Sequence, residues 1–344
     1  MSFSVDCRNP ADCCLEIQKA ASLLKNGELV AFPTETVYGL GANALDESAV
    51  GRIFASKGRP SDNPLIVHVH SISAAKELTS EMDHISAKLA EAFWPGPLTI
   101  ILPLNSRAGI ARNVSAGLET VGIRVPDHPV ALALLRECRL PLAAPSANKS
   151  GSPSPTTAFH VSNDLGESAV RPALILDGGP CRVGLESTVV QVKDKRVHIL
   201  RPGGVSAEDI SETLKCEKIE VVNSFSVELG DEEAPRAPGM KYRHYAPSGA
   251  VIVADDVSQF SPFLEGDVLI CFDTVKITGV KHCLSLGNSP EDLESACSRL
   301  FDLFRTADSF FAKRIVIDCS FDKNSGLGAA LWNRISKASS RGNS

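Results

Sequence analysis

The sequence predicts an α/β protein with an N-terminal open twisted α/β domain that carries a cationic cleft and a smaller C-terminal Rossmann-like parallel α/β domain. Three observations support this fold class. Short apolar runs typical of strands alternate with amphipathic helical segments. The chain has 344 residues, 43% of them hydrophobic, which suits two cores. The composition changes to loop-forming residues over 224–248, between the two predicted domains.

The first elements are a helix, a strand and a polar turn. The helix is predicted over residues 12–27 and is followed by the strand ELVAF. Pro33 ends that strand, and Thr34, Glu35 and Thr36 follow at its carboxyl end. Because open α/β sheets hold their ligands at the carboxyl ends of the strands, this turn is a candidate binding segment.

The stretch 52–68, RIFASKGRPSDNPLIVH, is the predicted centre of the first domain. Asp46 is the N-cap of a helix that leads to Lys57, and Gly58 and Pro60 then break the chain into a polar loop. The apolar strand LIVHVH follows directly. Cations held between a helix end, a rigid turn and a buried strand suit an anionic ligand, whereas a lone pair of cations would suit a solvated turn.

The remaining elements follow the same alternation. In the first domain we predict helices near 85–93 and 128–137, strands at 98–104 and 121–125, the short strand PLAAP, and a hairpin that ends in VHILRPGG. The second domain has strands VIVAD, DVLICF and RIVID, a helix at 290–313 and a last helix from 327. The predicted boundaries are 1–208 for the catalytic domain, 209–248 for a linker and 249–344 for the C-terminal domain.

Composition and charge exclude several classes of protein. A net charge of −6 argues against a protein held on nucleic acid by bulk electrostatics. The ten cysteines form no CxxC pair and no zinc-like spacing with histidine, so we predict reduced thiols and no protein metal site. No signal peptide is evident, and the longest apolar runs have the length of strands. We therefore expect a soluble cytoplasmic protein that does not bind a membrane.

Several well-known signatures are missing from the first domain. The sequence has no GxxxxGK[ST] loop, YGLGAN is not GxGxxG, and GLESTV is not a GxSxG nucleophile elbow. Cations and hydroxyl groups are instead dispersed over strand ends and loops, and they suit a small polar substrate and a phosphate-bearing one handled without a covalent nucleophile. These residues are Lys57, Arg59, Arg124, Arg182, Arg201, Thr34, Thr36, Thr120, Ser146, Ser154, Ser187 and Thr188.

Seven motifs occur in an order that identifies a family. They are PTETVYGLG, SKGRPSDNPL, FWPGPLT, VGIRVPDHP, APSANKSGSPSPT, GLESTVV and LRPG. Together they resemble the threonylcarbamoyl-AMP synthase family, and PGMKYRHYAP with the following α/β region resembles its long two-domain form. The resemblance implies a nucleotidyltransferase that joins L-threonine, bicarbonate and ATP into threonylcarbamoyl-AMP and pyrophosphate. This is the first step of a tRNA modification, threonylcarbamoyladenosine, and a separate tRNA threonylcarbamoyl transferase takes the product.

The resemblance also implies two groups of site residues. The threonine group falls on Thr36, His68, Arg124, Ala144 and Ser187. The ATP group falls on Lys57, Arg59, Asn63, Thr120, Ser146, Ser154 and Arg201. Arginine suits both ligands because its guanidinium binds carboxylates and phosphates in pairs of hydrogen bonds. His68, in an apolar strand, could equally be a core histidine, but Arg124 in the centre of a strand needs an anionic partner.

The chemistry of this family needs charge stabilisation more than a nucleophile. The threonine amine attacks bicarbonate or its dehydrated form, and the carbamate then attacks the α-phosphorus of ATP. A Mg²⁺ ion is expected to enter with the phosphates. Glu35 is a candidate base only by its position in the chain. Two competing functions are a carbamoyl-adenylate-forming maturation factor, whose usual acylphosphatase and zinc-finger segments are missing here, and an RNA-binding factor that uses a concave basic face. Direct tRNA binding stays open.

The linker contains a run that is unusual for a spacer. Tyr242, Arg243, His244 and Tyr245 follow one another, and prolines flank them. Aromatic and cationic groups gain nothing from staying in water, and flanking prolines lower the entropy lost on ordering. We predict that this run folds over the cleft as a lid that keeps water from the intermediate.

Overall fold

A computed structural model describes residues 3–9, 11–217, 219–225, 245–260 and 262–339. In these parts of the chain the helices are α1 (Cys14–Lys25), α2 (Glu47–Lys57), α3 (Ile72–Leu78), α4 (His84–Phe93), α5 (Pro129–Cys138), α6 (Ala158–Leu165), α7 (Ala207–Thr213), α8 (Leu293–Ser309) and α9 (Gly326–Ser339).

The strands of the first domain are β1 (Phe3–Asp6), β2 (Val30–Phe32), β3 (Gly39–Asn43), β4 (Ile66–His68), β5 (Leu98–Pro103), β6 (Thr120–Arg124), β7 (Leu142–Ala143), β8 (Leu174–Asp177), β9 (Thr188–Lys193), β10 (Arg196–Arg201) and β11 (Glu220–Asn223). Those of the second are β12 (Ala250–Ala254), β13 (Asp267–Cys271), β14 (His282–Ser285) and β15 (Arg314–Asp318).

Within the described residues, the first domain is built on a mixed sheet of 11 strands in the order β1-β8-β2-β3-β7-β4-β6-β5-β9-β10-β11. The second domain has a parallel sheet of 4 strands in the order β12-β15-β13-β14. The predicted fold class, an open α/β domain followed by a smaller parallel α/β domain, is confirmed.

Local signals explain why the central helix has the predicted bounds. The Asp46 side chain accepts hydrogen bonds from the backbone N–H groups of Ser48 and Ala49, and α2 ends at Gly58 in the left-handed conformation. Pro60 follows, and the chain enters β4 after a short turn. The predicted order of helix, polar loop and buried strand is therefore present.

Strand β3 was not expected, because its sequence GLGAN contains two glycines. It pairs antiparallel with β2, and a Cβ atom at Gly41 would lie 2.7 Å from the ring of Phe32. A larger residue would not fit beside that ring. Gly41 makes the strand hard to recognise in the sequence. Its lack of a side chain is nevertheless what allows β2 and β3 to pair.

The first domain also extends beyond the predicted boundary at residue 208. Helix α7 follows directly, and β11 pairs in parallel with β10 at the edge of the large sheet. The segment 209–223, which we had assigned to the linker, is thus part of the first sheet domain. Its sequence gave no strand signal because β11 is short and lies at an edge with half its residues exposed.

The two domains share apolar contacts. Val37 and Leu185 belong to the first domain but pack in the same buried cluster as Leu300, Phe301 and Leu331 of the second. None of the helices in the described parts of the chain combines the length and the apolar character needed to span a membrane.

Candidate active site

A cleft open to solvent on one side lies between one face of the large sheet, the loops above it and Tyr245. The lining residues are Thr34, Thr36, Val37, Gly39, Arg59, Leu65, Ile66, His68, Arg124, Ala144, Pro145, Ser146, Glu186, Ser187, Arg201 and Tyr245.

The cleft lies over a face of the sheet and not at one common edge. Strands β2, β3, β7 and β4 are antiparallel in succession, so β2 and β4 run in opposite directions and their carboxyl ends lie at opposite edges. Ile66 and His68 are two residues apart and therefore point to the same face. Arg124 is paired with His68 across β4 and β6 and shares that face. The sequence expectation of a single ligand edge is corrected by these antiparallel pairs.

Arg124 has a carboxylate partner from the protein itself. Its Nη2 atom lies 2.7 Å from Oε2 of Glu35, and both side chains are almost fully buried. Its Nε donates to the Gly96 carbonyl at 3.2 Å and Nη1 donates to Thr36 Oγ1 at 2.9 Å. The contact with Glu35 lacks hydrogen-bond alignment, so among the described residues Nη2 has no hydrogen-bond acceptor.

The turn formed by residues 34–37 lies next to Arg124 and is held in place by its own hydroxyl groups. Thr34 Oγ1 donates to the carbonyl of Val37 at 2.7 Å and lies 2.8 Å from Thr36 Oγ1. The Thr36 hydroxyl is therefore held between Thr34 and Arg124. Glu35, by contrast, points behind the cleft, which explains why it contacts Arg124 without lining the cavity.

His68 is neutral at ordinary pH. Burial, with the nearby guanidinium of Arg124, lowers the pKa of His68 to about 3. Its Nδ1 is buried and has no hydrogen-bond partner among the described residues. A neutral imidazole on the cleft wall can accept or donate a single hydrogen bond to a ligand without adding charge.

The loop before β4 supplies one cation to the cleft and one brace behind it. Arg59 lines the cavity while donating to the carbonyl of Pro64 at 3.1 Å. Lys57 is buried and donates to the carbonyls of Ser146 and Asn148. Burial and the charge of Arg59 hold the pKa of Lys57 well below its usual value. Lys57 thus joins the two loops instead of lining the cleft.

A second network surrounds Arg201 and Glu186. Arg201 donates from Nε to the Ser187 carbonyl at 3.1 Å and from Nη2 to Ser187 Oγ at 3.1 Å. Ser154 Oγ donates to Glu186 Oε1 at 2.5 Å. The predicted residues Ser154, Ser187 and Arg201 are therefore brought together, with Ser187 and Arg201 on the cleft wall and Ser154 just behind it.

Side chains of the second domain lie behind this wall. Arg334 of α9 is fully buried and donates from Nε to Glu186 Oε2 at 2.8 Å. Its guanidinium carbon lies 5.3 Å from the ring centre of Tyr245, and that ring stacks on Phe301 at 5.4 Å. Of the predicted lid, Tyr242, Arg243 and His244 lie outside the described residues. Tyr245 lines the cleft.

Some candidates lie elsewhere. Thr120 is on the same face of the sheet as Arg124 but lines a neighbouring groove with Ile101 and Gln191. Arg182 forms an exposed pair with Asp127 at 3.3 Å, away from the cavity lining. The Thr188 hydroxyl donates to the carbonyl of Val205 at 2.6 Å. Asn63 is buried in the turn after Arg59, and its carbonyl accepts from that arginine at 3.4 Å.

Two residues of the site escaped the sequence reasoning. Glu186 lies inside the GLESTVV motif, but a single acidic residue in a loop has no distinctive pattern. Arg334 had a usable signal, because Leu331, Ile335 and Ala338 are all buried on one face of α9 and Arg334 has the spacing of that face. A cation among apolar positions of a helix needs a buried anionic partner.

Two family models cover almost the whole chain. One, for Sua5, YciO and YrdC proteins and described as telomere recombination, matches residues 22–203. The other, described as the threonylcarbamoyl-AMP synthase C-terminal domain, matches residues 205–340. The chain belongs to the threonylcarbamoyl-AMP synthase family.

Relatives of the family match over nearly their full lengths. A threonylcarbamoyl-AMP synthase of Bacillus subtilis is 43% identical, over 94% of this chain and 92% of the relative. Another, from Pyrococcus abyssi, is 41% identical and covers 94% of both chains. A solved structure of P. abyssi Sua5 complexed with L-threonine superposes with a TM-score of 0.84 at 38% identity, covering 98% of this chain and 97% of that one. The two-domain form of the family is thus present here.

Proposed function

We propose that the protein is an L-threonylcarbamoyladenylate synthase, which converts L-threonine, bicarbonate and ATP into threonylcarbamoyl-AMP and pyrophosphate. The observation that carries this proposal is a single cleft lined by Arg124, Arg59 and Arg201. Three guanidinium groups suit one carboxylate substrate and one triphosphate. The match with family members that carry this enzyme name supports the same activity.

Threonine binds at Arg124. Arg124 lines the cleft, and a guanidinium binds a carboxylate with paired, charge-assisted hydrogen bonds, so the threonine carboxylate suits this position. Thr36, His68 and Ala144 line the cleft beside it. The likeness to the P. abyssi structure with bound L-threonine supports this substrate.

ATP binds in the part of the cleft lined by Arg59, Ser146 and Arg201. Arg59 and Arg201 neutralise the phosphates, and Lys57 keeps the Ser146 loop in place from behind. A Mg²⁺ ion enters with the triphosphate, and we propose that phosphate oxygens and water supply most of its ligands. The described residues contain no cluster of three acidic, histidine or cysteine side chains that would hold it.

The reaction proceeds by charge stabilisation in a partly closed site. The threonine amine gives up a proton and either condenses with bicarbonate, with loss of water, or adds to its dehydrated form, CO2. The carbamate oxygen then attacks the α-phosphorus, and the bond between the α- and β-phosphates breaks to release pyrophosphate. Each step brings anions together, and the three arginines lower that cost. The product passes to a separate tRNA threonylcarbamoyl transferase in the cytoplasm.

Pyrophosphate release tests the proposal directly. The purified chain is incubated with ATP and Mg²⁺, and threonine and bicarbonate are each left out in turn. We expect release only when both are present. Equal release with serine in place of threonine would point to a different substrate. No release under any condition would overturn the proposed activity and favour an RNA-binding role.

A further inference from the structure

Glu186 is an acidic side chain on the wall of a cleft that must hold a triphosphate. It lines the cavity together with Arg59 and Arg201, the two cations that face the nucleotide. An unpaired carboxylate there would repel the phosphates and compete with them for Arg201. The negative charge of Glu186 therefore needs a cation to neutralise it.

Arg334, in helix α9 of the second domain, supplies that cation. It is fully buried, and its Nε donates to Glu186 Oε2 at 2.8 Å while Nη1 donates to the Pro202 carbonyl at 2.8 Å. Pro202 follows Arg201 directly. One side chain of α9 thus contacts both Glu186 and the backbone next to Arg201.

The other oxygen of Glu186 is also occupied, because Ser154 Oγ donates to Oε1 at 2.5 Å. Burial alone would raise the pKa of Glu186, but Arg334, Arg201 and these hydrogen bonds hold it below its usual value, so the carboxylate is ionised. Its charge is shared with Arg334 and not left to Arg201 alone. Tyr245, between the cleft and Arg334, is held by the guanidinium above its ring.

We propose that Arg334 is a positioning residue of the nucleotide site: it holds Glu186 in an ion pair and fixes the backbone next to Arg201, so that the carboxylate does not compete with the phosphates of ATP for Arg201. This inference rests on the proposed function. It gives the C-terminal domain a specific part in the reaction, since Arg334, the cation that donates a hydrogen bond to the Glu186 carboxylate, comes from α9. The threonine group around Arg124 makes no described contact with Arg334 and should not depend on it.

Calorimetric titration of ATP and of threonine, separately, into full-length variants tests the proposal. We expect Arg334→Gln to weaken ATP binding by at least about tenfold, because one partner of a buried pair is lost, and to change threonine binding by less than about twofold. Adding Glu186→Gln to Arg334→Gln should recover most of the ATP affinity, because the freed carboxylate is gone. Glu186→Gln by itself should lose less ATP affinity than Arg334→Gln, because it removes the charge that would repel the phosphates.

Arg305→Gln is the matched control. Arg305 of α8 also pairs across the domains, with both Nη atoms 2.8 Å from the carboxylate of Asp164, and both side chains are mostly buried. Arg305 does not line the cleft. If Arg305→Gln weakens ATP binding as much as Arg334→Gln does, Arg334 only docks the domains and the proposal is overturned.

Further outcomes are equally decisive. Equal losses of ATP and threonine affinity in Arg334→Gln would contradict the proposal that Arg334 acts on the nucleotide site. If Arg334→Gln does not fold, Glu186→Gln and the double variant carry the test: a tenfold loss of ATP affinity in Glu186→Gln would mean that Glu186 binds the nucleotide itself.

A wild-type chain that binds neither ligand overturns both the proposed function and this inference, whereas unchanged binding in Arg334→Gln overturns the inference alone.

Discussion

At the residue scale, the site depends on buried charges whose protein partners are incomplete. Arg124 touches Glu35 at 2.7 Å, yet its Nη2 has no aligned acceptor within the described residues. His68 stands beside it on the sheet and is kept neutral. A buried guanidinium that pairs with one carboxylate can still bind a second anion from the cleft, because it carries five N–H donors.

Arg124 and Arg59 should therefore affect different ligands. Arg124→Ala is expected to weaken threonine binding by roughly 2–5 kcal/mol, the usual cost of removing one partner of a buried charge pair, with little change for ATP. Arg59→Ala should show the reverse preference. Calorimetry with each ligand measures both effects. Equal losses for both ligands in both variants would contradict the assignment of the two groups.

His68 should make the fold sensitive to mild acid. Its pKa is about 3 in the folded protein against 6.5 as the ordinary value, so below that ordinary value the unfolded chain binds a proton that the folded chain does not. Stability is then lost as pH falls from about 6.5 towards 3. Between about pH 7 and pH 5 the loss from this group should be about 2 kcal/mol.

Urea unfolding of the wild-type protein and of His68→Gln, at about pH 7 and about pH 5, measures this loss of stability. His128, whose pKa burial also lowers, contributes in the same direction in both proteins, so the difference between them isolates His68. Parallel pH dependence in the two proteins would show that the pKa of His68 is the same in the folded and the unfolded chain.

At the element scale, the site is held by loops whose backbones touch. The turn after β10 passes against the loop before β9, and a Cβ atom at Gly203 would lie 2.3 Å from the carbonyl oxygen of Glu186 and 2.4 Å from the backbone nitrogen of Thr188. Backbone atoms cannot yield as a flexible side chain can. The position of Glu186 and Ser187 in the cleft thus depends on a glycine in LRPGG.

Gly203→Ala should separate these loops. We expect a loss of about 1–3 kcal/mol in stability, as for other overpacked sites, together with weaker ATP binding because the Glu186 and Arg201 network is displaced. Gly51→Ala is the matched control: Gly51 lies inside α2 with nothing within 4 Å of the added Cβ, and it should stabilise the helix by about 0.5–1 kcal/mol. Thermal unfolding and ATP titration compare the two. A Gly203→Ala protein as stable as wild type would refute the close contact.

At the scale of the whole molecule, the two domains pack closely together behind the cleft. Val37 and Leu185 of the first domain pack with Phe301 and Leu331 of the second. At Gly184 an added Cβ would lie 2.4 Å from the Cα of Ser298 in α8, so the backbones of the two domains are in direct contact. His160 also approaches Asp302 at 3.1 Å. The domain interface is continuous with the wall of the site.

The linker prediction belongs at this scale and is tested with three chains. These are the full length, a chain ending at Gly249 and a chain ending at Ser224. If residues 242–245 cover the cleft, loss of 225–249 should lower synthesis and increase unproductive ATP hydrolysis beyond the loss of the C-terminal domain alone. Product formation and phosphate release measure these two effects. Equal activity in both truncated chains would reject the lid.

The sequence by itself determined the family, the two domains and most of the central elements. Cap and turn residues such as Asp46 and Gly58 act locally, so the bounds of α2 could be read directly. Motif residues Thr36, His68, Arg124 and Arg201 were named in advance, and the structure brings them to one cleft. Those signals are local, or are carried by runs of residues that recur together in one family.

Tertiary structure alone decided the contacts between distant segments. The antiparallel order β2-β3-β7-β4 moved the site from an edge of the sheet to its face, and no single segment encodes that order. The pairing of Glu35 with Arg124, and of Glu186 with Arg334, joins residues that are far apart in the chain. A buried charge reveals in the sequence that it needs a partner, but only the folded chain selects which one, because the choice depends on which backbones meet.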